Sequence, residues 1–125
     1  VRIAIIGSPR AGKTTLALEL MASTGLPVLH TDDLIDWGWS AASEEAARLL
    51  AIPGDFIIEG VTVVRALRKA LDASPQAPVE RCIVLERHRV PLTMRQLALQ
   101  RGCATVLRGI ETELRRRGVA MERPT

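Results

Sequence analysis

Residues Gly7 to Thr14 read GSPRAGKT, which fits the pattern G-x-x-x-x-G-K-[ST] at every fixed position. The apolar run Val1 to Ile6 precedes it, and Thr15-Leu16-Ala17-Leu18-Glu19-Leu20-Met21 comes next with the composition of a helix. Strand, loop and helix in that order are the context in which the pattern has a physical meaning. Gly7 and Gly12 let the backbone curl so that successive N–H groups point inward, making an anion nest at a helix N-terminus. Lys13 then reaches the outer phosphates of a nucleotide, and the Thr14 hydroxyl ligates magnesium. The residues expected to cradle the phosphates are Gly7, Ser8, Pro9, Arg10, Ala11, Gly12, Lys13, Thr14 and Thr15.

The totals place this stretch in an ordinary protein. With 125 residues, 47% hydrophobic and 25% charged, the chain is expected to form one domain, residues 1–125, around one core. Its two cysteines, Cys82 and Cys103, have no C-x-x-C spacing, which excludes a disulfide framework and a zinc site and points to a reducing, cytoplasmic setting. No apolar run approaches the length of a membrane span, and the N-terminus lacks the pattern of a signal peptide. Val1 in place of Met implies a start that was trimmed or processed. The net charge of +3 is unevenly spread: residues 1–80 carry seven Lys or Arg against ten acids, and residues 81–125 carry ten Arg against four Glu. Arginine-rich coding explains most of this, and a C-terminal third that meets phosphate or nucleic acid is the functional alternative. The chain has no asparagine. It therefore lacks both the N-K-x-D motif by which common GTPases read guanine and the catalytic-loop asparagine of protein kinases.

Periodicity predicts alternating elements. Arg2 to Ile6 is a buried strand, then comes a helix from about Gly12 to Thr24 with Leu16, Leu20 and Met21 on one face and Gly25 as its stop. Pro27 to His30 is a second strand. Ser43 is the expected N-cap of a helix ending near Ala51, with Glu44 and Glu45 in its first turn. Asp55 to Glu59 is a third strand, closed by Gly60, and Thr62 is placed to cap a helix with Val64, Leu67 and Leu71 in one stripe. Arg81 to Glu86 is a fourth strand. Pro91 is placed to start a helix to about Arg101, Gly102 interrupts it, and a last helix runs from Cys103 to Arg117. Val119 to Met121 is a candidate fifth strand. Such alternation predicts an α/β fold with a mostly parallel sheet of four to five strands and helices on both faces, a three-layer αβα arrangement. Ligands then bind beyond the carboxyl ends of the strands.

Candidate residues fall at those ends. Glu59 closes the run Phe56-Ile57-Ile58, where phosphoryl-transfer sites place a carboxylate on or near magnesium. Asp32 and Asp33 lie just past the second strand; one of them either orients magnesium, accepts a proton from an acceptor hydroxyl, or caps the next helical segment. Arg87, Arg89 and Arg95 lie past the fourth strand, where a guanidinium neutralises charge that develops on a transferred phosphoryl group or else faces solvent. Trp37 and Trp39 either stack on a flat acceptor or fill core. His30, ending an apolar strand, is read as structural.

GSPRAGKTT, the acids in LHTDDL and the strand end FIIEG together resemble the small P-loop kinases, in particular the adenylate-kinase-like group with its topology-modulation-type proteins and short phage-type nucleotide kinases. The resemblance implies a P-loop NTPase fold that binds ATP and Mg2+ and moves the γ-phosphate to a nucleotide or other small acceptor. Residues Gly7 to Thr15 would hold ATP, Lys13 its outer phosphates, Thr14 the magnesium, with Glu59 near the metal. Asp32 or Asp33 would face the acceptor, and Arg87 and Arg89 would stand where the family has lid residues. The span from Glu86 to Pro91 is too short for a developed lid, and residues 34–54 offer only Arg48 to an acceptor phosphate. Two other functions remain open: a nucleotide-binding or ATPase module acting through a partner, and a nucleic-acid-end kinase, the less favoured of the partner classes.

Overall fold

The computed structural model describes residues 1–7, 12–31, 39–85 and 91–124, with Trp39 and Ser40 described by their backbone alone. In chain order the elements are β1 (Arg2–Gly7), α1 (Lys13–Thr24), β2 (Val28–His30), α2 (Trp39–Leu50), β3 (Phe56–Glu59), α3 (Val63–Ala73), β4 (Arg81–Leu85), α4 (Met94–Arg116) and β5 (Ala120–Glu122). The strands form one five-stranded sheet in the order β2-β3-β1-β4-β5, and every pairing is parallel. The expected α/β class and parallel sheet are thus observed. No described helix is long and apolar enough to cross a membrane.

Strand order dictates where the helices lie. From β1 the chain moves outward past β3 to β2, and every later step runs the opposite way across the sheet. Because strand–helix–strand crossovers are right-handed, a reversal of direction moves the helix to the other face. Accordingly Ala17 of α1 packs with Ile3, Ile5, Ile57 and Ile83 on one face. Residues of α2, α3 and α4 pack with Ala4, Ile6, Ile58 and Val84 on the other. The strands are apolar on both faces because both are covered. Burial is complete for Ile3, Ile5, Ile57, Ile58, Leu67 and Leu114, each 0% exposed. Each such side chain contributes roughly 1.5–3 kcal/mol.

Several boundaries differ from the sequence expectation. The second helix begins at Trp39, so Ser43 does not cap it; Ser43 is 3% exposed within the helix interior. On α1, Ala17 faces the sheet while Met21 is exposed, because the small residue permits close approach of helix and strand. Gly102 does not break the last helix, which is continuous over 23 residues. Its missing side chain makes room instead: a Cβ there would lie 2.9 Å from Nη2 of Arg65 on α3. Nor does Pro91 begin that helix. Thr93 is the N-cap, its hydroxyl accepting from Gln96 N at 3.2 Å while Gln96 Oε1 accepts from Thr93 N at 2.9 Å. This reciprocal cap outcompetes a proline at the first turn because it satisfies two otherwise orphaned N–H groups. We expect Thr93→Ala to cost about 1 kcal/mol, read as a lower urea midpoint with an unchanged slope.

Five arginines of the C-terminal third share three glutamates. Arg81 pairs with Glu122 at 2.7 Å, Arg115 with Glu111 at 3.0 Å, and Arg117 with Glu113 at 2.7 Å; Arg116 also pairs with Glu113 and Arg123 with Glu111. The Arg116 and Arg117 guanidinium groups hold the Glu113 carboxyl down from its ordinary 4.5 to about 2. Arg117 also donates to the carbonyls of Leu71 and Gln76 at 2.9 and 3.0 Å, which ties the end of α4 to the turn after α3.

Candidate functional site at the carboxyl edge of the sheet

The exit of β1 leads to α1 on one face, whereas the exits of its two neighbours, β3 and β4, lead to α3 and α4 on the other. The helices that follow thus lie on opposite faces on either side of β1, and the carboxyl end of such a strand is where open parallel sheets place a ligand crevice. Gly7 ends β1 there, and Gly12 enters α1 as its N-cap in a left-handed conformation, φ 90°. A residue with a Cβ is disfavoured at that angle, which explains the second fixed glycine of the motif. Lys13, the first residue of α1, is 5% exposed, while Thr14 and Thr15 are less buried. The helix carries no acidic residue in its first turn, leaving the positive end of its dipole uncompensated by side chains there.

Glu59 lies in this crevice through simple alternation. Phe56 and Ile58 face α2 and α3, so Ile57 and Glu59 face α1. The Thr14 hydroxyl lies 3.4 Å from Glu59 Oε1 as a donor. The adjacent strand is in register, with Val28 beside Ile57 and His30 beside Glu59, so His30 shares the Glu59 face. Its Nδ1 lies 2.6 Å from the same Oε1. Glu59 is 1% exposed, and its second oxygen, Oε2, is buried with no hydrogen-bond partner among the described residues. An unsatisfied buried carboxylate oxygen costs several kcal/mol and marks a missing donor or cation.

Behind the carboxylate, the backbone is fixed by two buried hydroxyls. Thr62 Oγ1 donates to Thr31 Oγ1 at 2.8 Å, and Thr31 donates to the Glu59 carbonyl through both N–H and Oγ1, each at 3.0 Å. Thr62 does occupy the N-cap position of α3, but its hydroxyl is committed to this chain of bonds rather than to the helix. The segment that leaves β2 is thereby pinned to the end of β3.

Among the described residues no group of three or more His, Cys, Asp or Glu could hold a metal alone. A cation beside Glu59 and Thr14 would therefore complete its shell with water and ligand oxygens, the habit of magnesium rather than of zinc. The buried Oε2, the adjacent hydroxyl and the glycines flanking the loop fit a magnesium-bearing polyphosphate. The cysteines supply no competing chemistry. Burial pushes the Cys82 thiol up to about 12, and Cys103 donates to the Val61 carbonyl at 3.3 Å.

The structure brings together Gly7, Gly12, Lys13, Thr14, Thr15 and Glu59 of the expected set at one edge. Ser8, Pro9, Arg10, Ala11, Asp32, Asp33, Arg87 and Arg89 lie outside the described residues, as do Trp37 and the side chain of Trp39. Arg48, the one arginine that residues 34–54 offer to an acceptor phosphate, pairs with Glu45 across one helical turn at 2.9 Å. His30, read from the sequence as structural, lies against Glu59, a contact that becomes visible only once the β2–β3 register is known. On the opposite face of the sheet a cavity of about 330 Å³ opens between the ends of β1 and β4 and helices α3 and α4. Its walls include Gly7, Leu85, Val64 and Leu107, with Arg108, Glu111 and Arg123 among the polar lining.

Comparison of the chain with protein-family models and with curated proteins returns no match.

Proposed function

We propose that the protein is an ATP-binding P-loop NTPase that acts as a small kinase, moving the ATP γ-phosphate to a nucleotide or another small acceptor. The observation that carries this is the buried, half-partnered carboxylate of Glu59 beside the Thr14 hydroxyl, at the edge where the G-x-x-x-x-G-K-[ST] stretch begins and ends. Gly7 to Thr15 would bind the phosphates through backbone N–H groups, and the buried Lys13 would meet the outer phosphates. Thr14 and Glu59 would hold magnesium, Thr14 directly and Glu59 directly or through a water. When bound, that ion would supply positive charge against the charge that develops on the transferred group. The chain's own residues do the positioning: the glycines admit the phosphates and Glu59 orients the shell. Asp32 or Asp33, next along from the pinned Thr31, would orient the acceptor or accept its proton; Arg87 and Arg89, which follow β4 in the chain, would offset charge on the transferred group.

A small acceptor is favoured over a nucleic-acid end. Arg81, Arg115, Arg116, Arg117 and Arg123 are each paired with a glutamate, which reduces the field available to a polyanion. The cavity on the α3 and α4 face is also at the small end of the range for small-molecule sites, roughly 300–1,000 Å³. The test is transfer from γ-labelled ATP to a panel of nucleosides, nucleotides, sugars and 5′-hydroxyl oligonucleotides, with magnesium present and then chelated. We expect magnesium-dependent label on a small acceptor. ATP binding with no labelled acceptor would instead support a nucleotide-binding module acting through a partner.

A further inference from the structure

We propose that His30 is a positioning residue for Glu59, holding one carboxylate oxygen so that the other is presented to the metal-bearing nucleotide. The inference rests on the kinase-like reading of the Glu59 site. Glu59 Oε1 faces two donors, His30 at 2.6 Å and Thr14 at 3.4 Å, whereas Oε2 is buried and has none. The imidazole bond is the short one of the pair. Where the carboxylate accepts, Nδ1–H of His30 is the donor of that bond. Glutamate has one more rotatable bond than aspartate, and without a tether its carboxylate would sample several orientations at the strand end. His30 removes that freedom. It stands on an edge strand at the same register and on the same sheet face, and its backbone is fixed by the Thr31 bonds to the Glu59 carbonyl. Its side chain is 39% exposed and lies outside both core clusters.

Partners that orient a metal-binding carboxylate or imidazole typically contribute about 10- to 100-fold to metal affinity. The experiment uses the full chain holding a non-hydrolysable ATP analogue, titrated with Mn2+, with free Mn2+ read by electron paramagnetic resonance. We expect His30→Leu to weaken Mn2+ binding about tenfold or more, while metal-free analogue binding and the urea midpoint stay near those of the parent. His30→Asn places an amide N–H near the lost Nδ1–H and should restore most of the affinity. Glu59→Gln is the companion variant and should weaken Mn2+ binding at least as much. If Glu59→Gln weakens Mn2+ binding and His30→Leu does not, the positioning role is wrong and the metal site stands. Loss in His30→Leu without rescue by His30→Asn rules out the hydrogen bond as the cause. If Glu59→Gln leaves Mn2+ binding unchanged, or the folded parent takes up neither analogue nor Mn2+, the underlying site assignment fails.

Discussion

Lys13→Ala is expected to bind ATP on the order of 10- to 100-fold more weakly than the parent while remaining folded. The affinity loss comes from removing a charged donor to the outer phosphates, since hydrogen bonds to charged groups contribute about 1.5–3 kcal/mol each. Phosphoryl transfer should fall further, by roughly 10²- to 10³-fold, because charge on the transferred group grows toward the transition state and the missing ammonium matters most there. The fold should tolerate the change for two reasons. Lys13 opens α1, where alanine is the best helix former, and its truncation leaves the contact of Ala17 with the sheet in place. Calorimetric titration with ATP, alongside a urea denaturation curve, separates the two effects. Lys13→Arg should recover only part of the loss, because a planar guanidinium does not fit where a compact ammonium is enclosed. A folded Lys13→Ala protein with parental ATP affinity would remove the phosphate loop from the site.

The elements legible in the sequence are those whose signals are local. Alternating apolar runs and helical stretches disclose the α/β class, and the glycine spacing marks the edge where β1 ends. Glu59 is legible because an acid closing an apolar strand is conspicuous. The features that stay hidden depend on contacts distant in sequence. His30 meets Glu59 across 29 residues through a strand register that no local pattern encodes. Gly102 resembles a helix break because glycine disfavours helices; the packing of Arg65 against it is a tertiary contact that overrides the propensity. Ser43 has the composition of a cap, yet the helix starts earlier, at Trp39, and buries it. The arginines at the end of α4 read in the sequence as cations offsetting the helix dipole, and the fold adds glutamate partners three or four residues away for Arg115, Arg116 and Arg117.

Gly7→Ala should be the most damaging single methyl group that can be added to this chain near the site. Gly7 is the last residue of β1 and pairs with Leu85, the last residue of β4. A Cβ at Gly7 would sit 2.2 Å from the Leu85 carbonyl oxygen and 3.1 Å from its carbonyl carbon. The obstacle is the backbone of a neighbouring interior strand, so no side-chain rotation relieves it and the two strand ends must part. Overpacking in a well-packed region costs about 1–3 kcal/mol, and we expect the upper end here, roughly 3 kcal/mol. That is a large share of the 5–15 kcal/mol by which domains of this kind are typically stable, and it corresponds to a fall in Tm of about 10 °C. Gly25→Ala provides the comparison. Gly25 caps α1 at φ 74°, but a Cβ there meets nothing within 4 Å, so its cost is backbone strain alone, about 1–2 kcal/mol. Gly7 has its own positive φ, 159°, so the excess destabilisation of Gly7→Ala over Gly25→Ala combines the clash with the Leu85 carbonyl and the difference in backbone strain. The same displacement moves the start of the loop proposed to bind phosphate, so Gly7→Ala should also weaken ATP binding while Gly25→Ala, at the far end of α1, should not. Equal urea midpoints for the two variants would show that the backbone of β4 does not approach Gly7 closely enough to require a glycine.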